Sequence, residues 1–182
     1  MEKIMHNTIY TEWLNTLPEG DPLREELLSI RDNPKEIEDR FYRGLAFGTG
    51  GLRGIIGAGT NRMNVYSVGR ATFGLAEYLL KQNTKPSVAI AYDSRNMSKE
   101  FAHAAADILS SKGIQAYIFS ELMPTPVLSF AVRKLKATAG IVITASHNPK
   151  EYNGYKVYNE KVFHNARSAF RRGTAQTNET GA

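Results

Sequence analysis

The sequence predicts an α/β fold in which a largely parallel sheet is covered by helices on both faces. Two observations carry this prediction. Short apolar strands alternate with helical segments between residues 88 and 144, which is typical of right-handed βαβ crossovers. The last of these strands, 139–144, ends in an exposed polar loop, which is where open α/β sheets build their active sites.

The first forty-odd residues read as helices. Asn33 is a candidate N-cap, with Pro34 at the first helical position and Glu36 completing a capping box. We expect this helix to run until Gly48. Its apolar face is formed by residues at helical spacing, namely Ile37, Phe41 and Leu45.

A second amphipathic helix is predicted to start at Asn64. Its apolar positions are Val65, Val68, Thr72, Leu75 and Leu79. A strand at 88–92 and a turn at 93–96 follow, and then a helix that Ser98 caps and Gly113 terminates.

The next strand alternates apolar residues over 114–118. Thr125 and Pro126 open a helix that runs to Leu135, and Met123–Pro126 is interpreted as its capping segment. From these elements we divide the chain into a helical segment, 1–46, an α/β domain, 47–158, and a tail, 159–182. The tail is polar and unpatterned, so we expect it to be disordered.

The composition suits a soluble globular protein with a sizeable core. The chain has 182 residues, of which 42% are hydrophobic and 23% charged. It has no cysteine, no apolar run long enough for a membrane and no signal peptide, so a cytoplasmic location and no membrane partner are expected. The net charge of +5 is scattered along the chain, which argues against a nucleic-acid partner.

A serine, a histidine and a lysine lie close together after the last strand. Ser146 and His147 belong to Thr144–Pro149, and Lys156 ends the run Tyr-Asn-Gly-Tyr-Lys. A serine hydroxyl needs a base, a metal or a bound charge to act as a nucleophile. A turn that merely uses Ser, Asn and Pro is the alternative, and the missing G-x-S-x-G elbow argues against a serine hydrolase. Because Ser146 and His147 are adjacent, we expect their side chains to project apart.

The glycine-rich stretch 47–54 is a second candidate site. Its glycines would let the backbone approach a phosphate, although it matches neither G-x-G-x-x-G nor a P-loop and follows a predicted helix. A structural turn is the alternative. Asp93 and Arg95, after the strand 88–92, are interpreted mainly as a pair that braces their own turn. The histidines at 6, 103 and 164 show no metal-ligand spacing and are interpreted as surface or packing residues.

The two signature stretches together resemble the α-D-phosphohexomutases, the phosphoglucomutase and phosphomannomutase family. The hexapeptide Thr144–Pro149 is similar to the family's phosphoserine loop, and 47–54 to its N-terminal G-T-x-G-x-R-G signature. The resemblance runs from about Glu36 to Tyr158. It implies the family's first domain, a three-layer α/β/α sandwich with a mostly parallel mixed sheet.

The resemblance also implies roles for individual residues. Ser146 would carry the phosphoryl group and bind Mg²⁺ through it, while His147 and Lys156 would serve in acid–base work or hold the phosphate. Arg53 would contact the phosphate, for which its planar fork is suited. The remaining expected phosphate-binding residues are Gly50, Gly51, Thr144 and Asn148. The expected substrate is a hexose phosphate interconverted between its 1- and 6-phosphates.

The chain departs from the family pattern after Tyr158. The family's Asp-Gly-Asp-x-Asp-Arg metal loop is absent from this sequence, so we expect the other Mg²⁺ ligands to lie outside this chain. A truncated first domain that is inactive alone is one interpretation, and self-association through the face where the second domain would pack is expected of it. A split enzyme, whose missing domains act in trans from another chain, and a non-catalytic sugar-phosphate-binding module are the alternatives. The sequence leaves glucose, mannose and other sugars open.

Overall fold

A computed structural model describes residues 2–48 and 51–159 of the chain. Six helices and five strands lie in these ranges. In chain order they are α1 (Glu2–Thr16), α2 (Pro22–Ser29), α3 (Pro34–Phe41), β1 (Leu52–Ile55), α4 (Val65–Gln82), β2 (Ser87–Tyr92), α5 (Ser98–Ser111), β3 (Gln115–Ile118), α6 (Thr125–Lys134), β4 (Ala139–Ile143) and β5 (Tyr152–Asn159).

The five strands form one mixed sheet in the order β1-β5-β4-β2-β3. β2 pairs in parallel with both β3 and β4, as the βαβ alternation predicted. β5 pairs antiparallel with β4 and with β1, so half of the sheet's four pairings are antiparallel. Neither β1 nor β5 was predicted as a strand from the sequence. They place the glycine-rich stretch and the Tyr-Asn-Gly-Tyr-Lys run side by side in the sheet.

Helices cover both faces of the sheet, and the two halves of the core have different sizes. On one face α4 and α5 pack against the strands through a large cluster that includes Ile90, Ile141 and Tyr155. On the other face α6 contributes Leu128 and Val132 to a smaller cluster. This three-layer arrangement confirms the predicted α/β/α sandwich, with the carboxyl ends of β2 and β4 at the same edge.

The first three helices form a third apolar cluster that joins the α/β domain at Ala58. Leu27 and Phe41 are buried in it, and Ala58 from the loop after β1 is fully buried against them. Arg40 of α3 forms an ion pair with Glu26 and donates to the Ala58 carbonyl at 3.1 Å. The Ala58 N–H donates to Glu26 at 2.9 Å, so a paired charge cluster fixes this junction.

The helix that Asn33 starts is shorter than predicted. The Asn33 side chain accepts from the Glu36 N–H as expected of an N-cap, but α3 ends at Phe41 rather than at Gly48. Leu45 therefore does not extend the face of Ile37 and Phe41. It packs as a partly buried residue against the sheet's larger core cluster instead.

The predicted starts of the other helices have different outcomes. α4 begins directly after Asn64, as predicted, and Asn64 caps it in a full capping box with Ser67. The prediction that Ser98 caps α5 is wrong, because the cap position is Met97, at φ 63°, without a side-chain bond. Ser98 is the first helical residue, and its hydroxyl donates to Asp93 at 2.7 Å. At α6 the cap is Pro124, also without a side-chain bond.

No helix within the described residues combines the length and the apolar character that crossing a membrane requires. The expected disorder of the tail concerns residues that, apart from Asn159 at the end of β5, lie outside the described ranges, and it stays a prediction.

Candidate functional site

Ser146 lies in the loop that leaves the carboxyl end of β4. Its side chain is exposed, and its backbone has φ 57°, the left-handed region that a serine seldom adopts. The Ser146 N–H donates to Thr144 Oγ1 at 3.0 Å. The buried Thr144 thus holds the serine in a turn that presents its hydroxyl to solvent. Thr144 was predicted to bind phosphate, and in this structure its hydroxyl accepts from that N–H.

His147 lies closer to the serine hydroxyl than the sequence analysis expected. Ser146 Oγ and His147 Nδ1 are 3.4 Å apart, so the expectation that the two side chains project apart is wrong. At 3.4 Å the contact is at the long end of hydrogen bonding, and both side chains are exposed.

Arg53 reaches the serine loop from the edge of the sheet. Its Nη1 donates to Asn148 Oδ1 at 2.7 Å. Arg53 lies on β1 opposite Gly154 of β5. A Cβ on residue 154 would lie only 2.9 Å from the Leu52 carbonyl oxygen, so the glycine lets the two strands approach closely. Two of the five predicted phosphate-binding residues, Arg53 and Asn148, are therefore brought together at the loop.

Lys156 is a half-buried cation on the same face of the sheet as Arg53. It lies two residues beyond Gly154 on β5 and is paired with Val142 of β4. Burial lowers the pKa of Lys156, the nearby Arg53 guanidinium lowers it further, and Asp93 opposes both. In residues 2–48 and 51–159, no carboxylate forms an ion pair with Arg53 or Lys156. Two cations without an ion pair in these ranges, one of which contacts Asn148 of the serine loop, favour an anionic ligand.

Gly51 brings the glycine-rich stretch against β5. Its φ is +104°, and a Cβ there would lie 2.4 Å from the Tyr155 carbonyl oxygen and 3.2 Å from Lys156 Cγ. A side chain is therefore excluded at this position. Gly50, the other predicted phosphate-binding glycine, lies outside the described residues, and its role stays a prediction.

Arg95 contacts the serine loop, a role that the sequence analysis did not predict. Its guanidinium donates to the backbone carbonyls of Ser146, Asn148, Pro149 and Tyr152. The predicted bracing of its own turn is also present, since the Arg95 N–H donates to Asp93 Oδ1 at 3.0 Å. Because β2 and β4 are parallel neighbours, the position of Arg95 just after β2 was the signal that could have revealed its contact with the loop.

The described residues do not form a magnesium site by themselves. No group of three or more His, Asp or Glu residues gathers among them. The Asp93 carboxylate already accepts from Ser98 and lies 3.6 Å from Arg95 Nε. Mg²⁺ prefers octahedral oxygen ligands, including carboxylates, which this arrangement does not supply. The earlier interpretation of the other histidines fits His6, which is buried, and His103, which is exposed, while His164 lies outside the described residues.

These features define an α/β/α domain with a serine loop and two cations at the carboxyl edge of its sheet. The sequence model of the family phosphoglucomutase/phosphomannomutase, α/β/α domain I, matches residues 44–170 of the chain. The chain belongs to this family of phosphotransferase-type isomerases, which confirms the resemblance carried by the two signature stretches.

Relatives with established names agree with the family model. A phosphoglucomutase of Staphylococcus haemolyticus is 53% identical over 121 residues, which is 66% of this chain and 22% of that protein. A phosphoglucomutase of Staphylococcus aureus USA300 is 47% identical over 129 residues, or 70% of this chain and 23% of that protein. The chain therefore spans less than a quarter of the length of these relatives.

Solved structures show the same fold. A Thermus thermophilus protein assigned as a phosphomannomutase superimposes with a TM-score of 0.65 at 32% identity, covering 72% of this chain and 29% of that one. A family member from Burkholderia thailandensis gives a TM-score of 0.57 at 23% identity, covering 73% and 30%. The second likeness supports the fold alone.

Proposed function

We propose that this chain supplies the phosphoserine domain of a hexose-phosphate mutase, with Ser146 as the residue that carries the phosphoryl group. The observation that carries the proposal is the placement of the Ser146 hydroxyl. It is exposed at the carboxyl end of β4, in a left-handed turn of the loop that Arg53 contacts through Asn148. Such a turn presents one hydroxyl to a bound substrate while the loop backbone stays fixed.

In the proposed reaction the bond between phosphorus and Ser146 Oγ breaks, and a bond forms between phosphorus and a free hydroxyl of the hexose monophosphate. The proton of that hydroxyl passes to a base, and the departing Ser146 Oγ takes up a proton. In the return step the bond between the bisphosphate's other phosphorus and its sugar oxygen breaks, that phosphoryl group bonds to Ser146 Oγ, the serine proton passes to the base, and the freed sugar oxygen is protonated. Lys156 suits the base because its lowered pKa increases its neutral fraction. His147, 3.4 Å from the serine oxygen, is the second candidate.

Arg53 would stabilise the charge on the transferring group, and Lys156 would do so in the steps in which it is protonated. Phosphoryl transfer is catalysed mainly by positioning and by electrostatic stabilisation, and a planar guanidinium matches phosphate oxygens. Magnesium would supply further charge neutralisation when bound. Because the described residues lack a carboxylate cluster, we propose that its other ligands come from outside them and that residues 1–182 alone do not interconvert hexose phosphates.

A domain exchange tests the proposal. Residues 44–159 of this chain would replace the matching domain of the Staphylococcus haemolyticus phosphoglucomutase, and conversion of glucose 1-phosphate to glucose 6-phosphate would be measured. We expect an active chimera that Ser146→Ala inactivates. Ser110→Ala, at an exposed position on α5, is the matched control and should leave the rate unchanged.

The same chimera distinguishes the proposed mutase function from the alternative, a non-catalytic sugar-phosphate-binding module. If the domain only binds a sugar phosphate, Ser146→Ala would retain the turnover of the parent chimera, and no phosphate would be found on Ser146. If the chimera is folded, as judged by circular dichroism, and still inactive, the proposed mutase role is contradicted.

A further inference from the structure

We propose that Arg95 is a positioning residue that holds the Ser146 loop in the conformation needed for phosphate binding. The statement that this conformation serves phosphate binding rests on the proposed function. The statement that Arg95 holds the loop rests only on the contacts of its guanidinium. Nη2 donates to the Ser146 and Asn148 carbonyls, both at 2.6 Å. Nη1 donates to the Pro149 and Tyr152 carbonyls at 2.9 and 3.1 Å.

The contacts of Arg95 explain how Ser146, which is not a glycine, keeps a left-handed backbone. Left-handed residues other than glycine persist where the surroundings over-determine them. Both backbone polar groups of Ser146 are held, its N–H by Thr144 Oγ1 at 3.0 Å and its carbonyl by Arg95. Arg95 is thus one half of a clamp on the residue whose hydroxyl would take the phosphoryl group.

Only an arginine has the geometry for this clamp. The guanidinium presents five donors in a rigid fork, and here its two terminal nitrogens serve four carbonyls while Nε faces Asp93 at 3.6 Å. The Arg95 side chain is only 15% exposed; its bonds to the Asn148 and Tyr152 carbonyls are partly buried, and those to the Ser146 and Pro149 carbonyls lie at the surface. A lysine retains the charge but offers three donors on a single atom, which is too compact to reach carbonyls on both sides.

The position of Arg95 is itself fixed by a polar network that spans three strands. Asp93, after β2, accepts from the Arg95 N–H at 3.0 Å and from the Ser98 hydroxyl at 2.7 Å. Asn153 of β5 is fully buried and donates to Ser98 Oγ at 2.9 Å. The Asp93 N–H donates to the carbonyl of Ile143, the last residue of β4, at 3.2 Å. The guanidinium is therefore preset before any ligand binds.

Amide hydrogen exchange of the full chain, followed by NMR, tests the structural part. In Arg95→Lys and Arg95→Gln we expect the loop amides that form bonds inside the loop, those of Ser146, Asn148 and Tyr152, to exchange about tenfold faster or more, because a bond to a charged donor is worth at least that factor. Amides of helix α4 should keep their rates. Arg31→Lys is the matched control, because the side chains of Arg31 and of its ion-pair partner Asp32 are both exposed.

Titration with inorganic phosphate tests the consequence for the site. In the wild-type chain we expect phosphate to shift the amide signals of Ser146 and Lys156, and both Arg95 variants should weaken this binding about tenfold or more. Arg95→Lys keeps the positive charge but should not restore phosphate binding. This result would show that the geometry of the guanidinium, rather than its charge, is what the loop requires.

The outcomes distinguish this inference from the proposed function. Loop amides that exchange at wild-type rates in both variants, or amides that accelerate equally throughout the domain, would overturn the positioning role. If the loop amides alone accelerate but phosphate does not bind the wild-type chain, the clamp is supported and the phosphate site of the proposed function is contradicted.

Discussion

Arg53 and Asn148 are 95 positions apart in the chain, yet Arg53 Nη1 donates to Asn148 Oδ1 at 2.7 Å. This bond ties edge strand β1 to the loop that carries Ser146. It also leaves the remaining guanidinium donors of Arg53 without a carboxylate partner among the described residues. A cation that is oriented but not neutralised is suited to an incoming phosphate.

Replacing Arg53 by lysine should impair the domain-exchange chimera described above. Arg53→Lys keeps the charge and loses the fork, so we expect kcat/KM for hexose phosphate to fall by about 10- to 100-fold. The free energy of unfolding should change by less than about 0.5 kcal/mol because the side chain is exposed. Arg133→Lys, at an exposed position on α6, is the control. An unchanged kcat/KM would contradict a phosphate contact by Arg53.

The pKa of Lys156 should lie below its ordinary value, first because the side chain is partly buried and then because Arg53 repels its charge. Between the folded and the ordinary value the unfolded chain binds more protons, so stability should rise with pH across that window. NMR titration of the Lys156 side chain measures the pKa. Arg53→Met should raise the pKa, and so should bound phosphate. A pKa at or above the ordinary value in the unliganded chain would contradict this account.

Gly51→Ala should destabilise the domain more than an alanine at another left-handed glycine. At Gly51 the new Cβ would lie 2.4 Å from the Tyr155 carbonyl oxygen, whereas at Gly113, with φ +73°, it meets nothing within 4 Å. We expect a loss of about 1 kcal/mol at Gly113 from the backbone conformation alone and at least about 2 kcal/mol at Gly51. Urea denaturation measures both. Equal losses would show that Gly51 and β5 do not approach so closely.

Asn153→Ala should destabilise the domain through its buried hydrogen bonds. The Asn153 amide donates to the Asn96 carbonyl and to Ser98 Oγ, both at 2.9 Å, and its oxygen accepts from the Gly154 N–H at 2.7 Å. Leaving these partners unsatisfied costs about 2 to 3 kcal/mol. Asn15→Ala, on an exposed position of α1, should change the free energy of unfolding by less than about 0.5 kcal/mol. A matching small change at Asn153 would argue against the network.

The central part of the fold could be predicted because its local signals agree with its tertiary environment. Apolar runs such as Ala139–Ile143 are buried along their whole length, and Asn64 forms the cap that its side chain favours. β1 and β5 were missed because they contain glycines and charged residues that resemble a loop. In β5, Lys156 and Gly154 face the site, and only pairing with β4 and β1 makes this segment a strand.

The candidate site was predicted in its residue types but not in its geometry. Ser146 has a left-handed backbone and its hydroxyl lies 3.4 Å from His147 Nδ1, and sequence adjacency alone reports neither the φ angle nor the distance. Ser98 resembled a helix cap because serine prefers that position, but the structure uses its hydroxyl to join Asp93 and Asn153. The contacts of Arg95 with the loop depend on the order of the strands, which a linear pattern does not specify.

The most direct test of the central claim is to locate the phosphoryl group during turnover. The chimera would be incubated with glucose 1-phosphate labelled with ³²P and a catalytic amount of glucose 1,6-bisphosphate, quenched and digested, and the labelled peptide identified by mass spectrometry. The account predicts label on Ser146 and none in Ser146→Ala. An active chimera whose label lies on another residue, or that carries no label on Ser146, would contradict it.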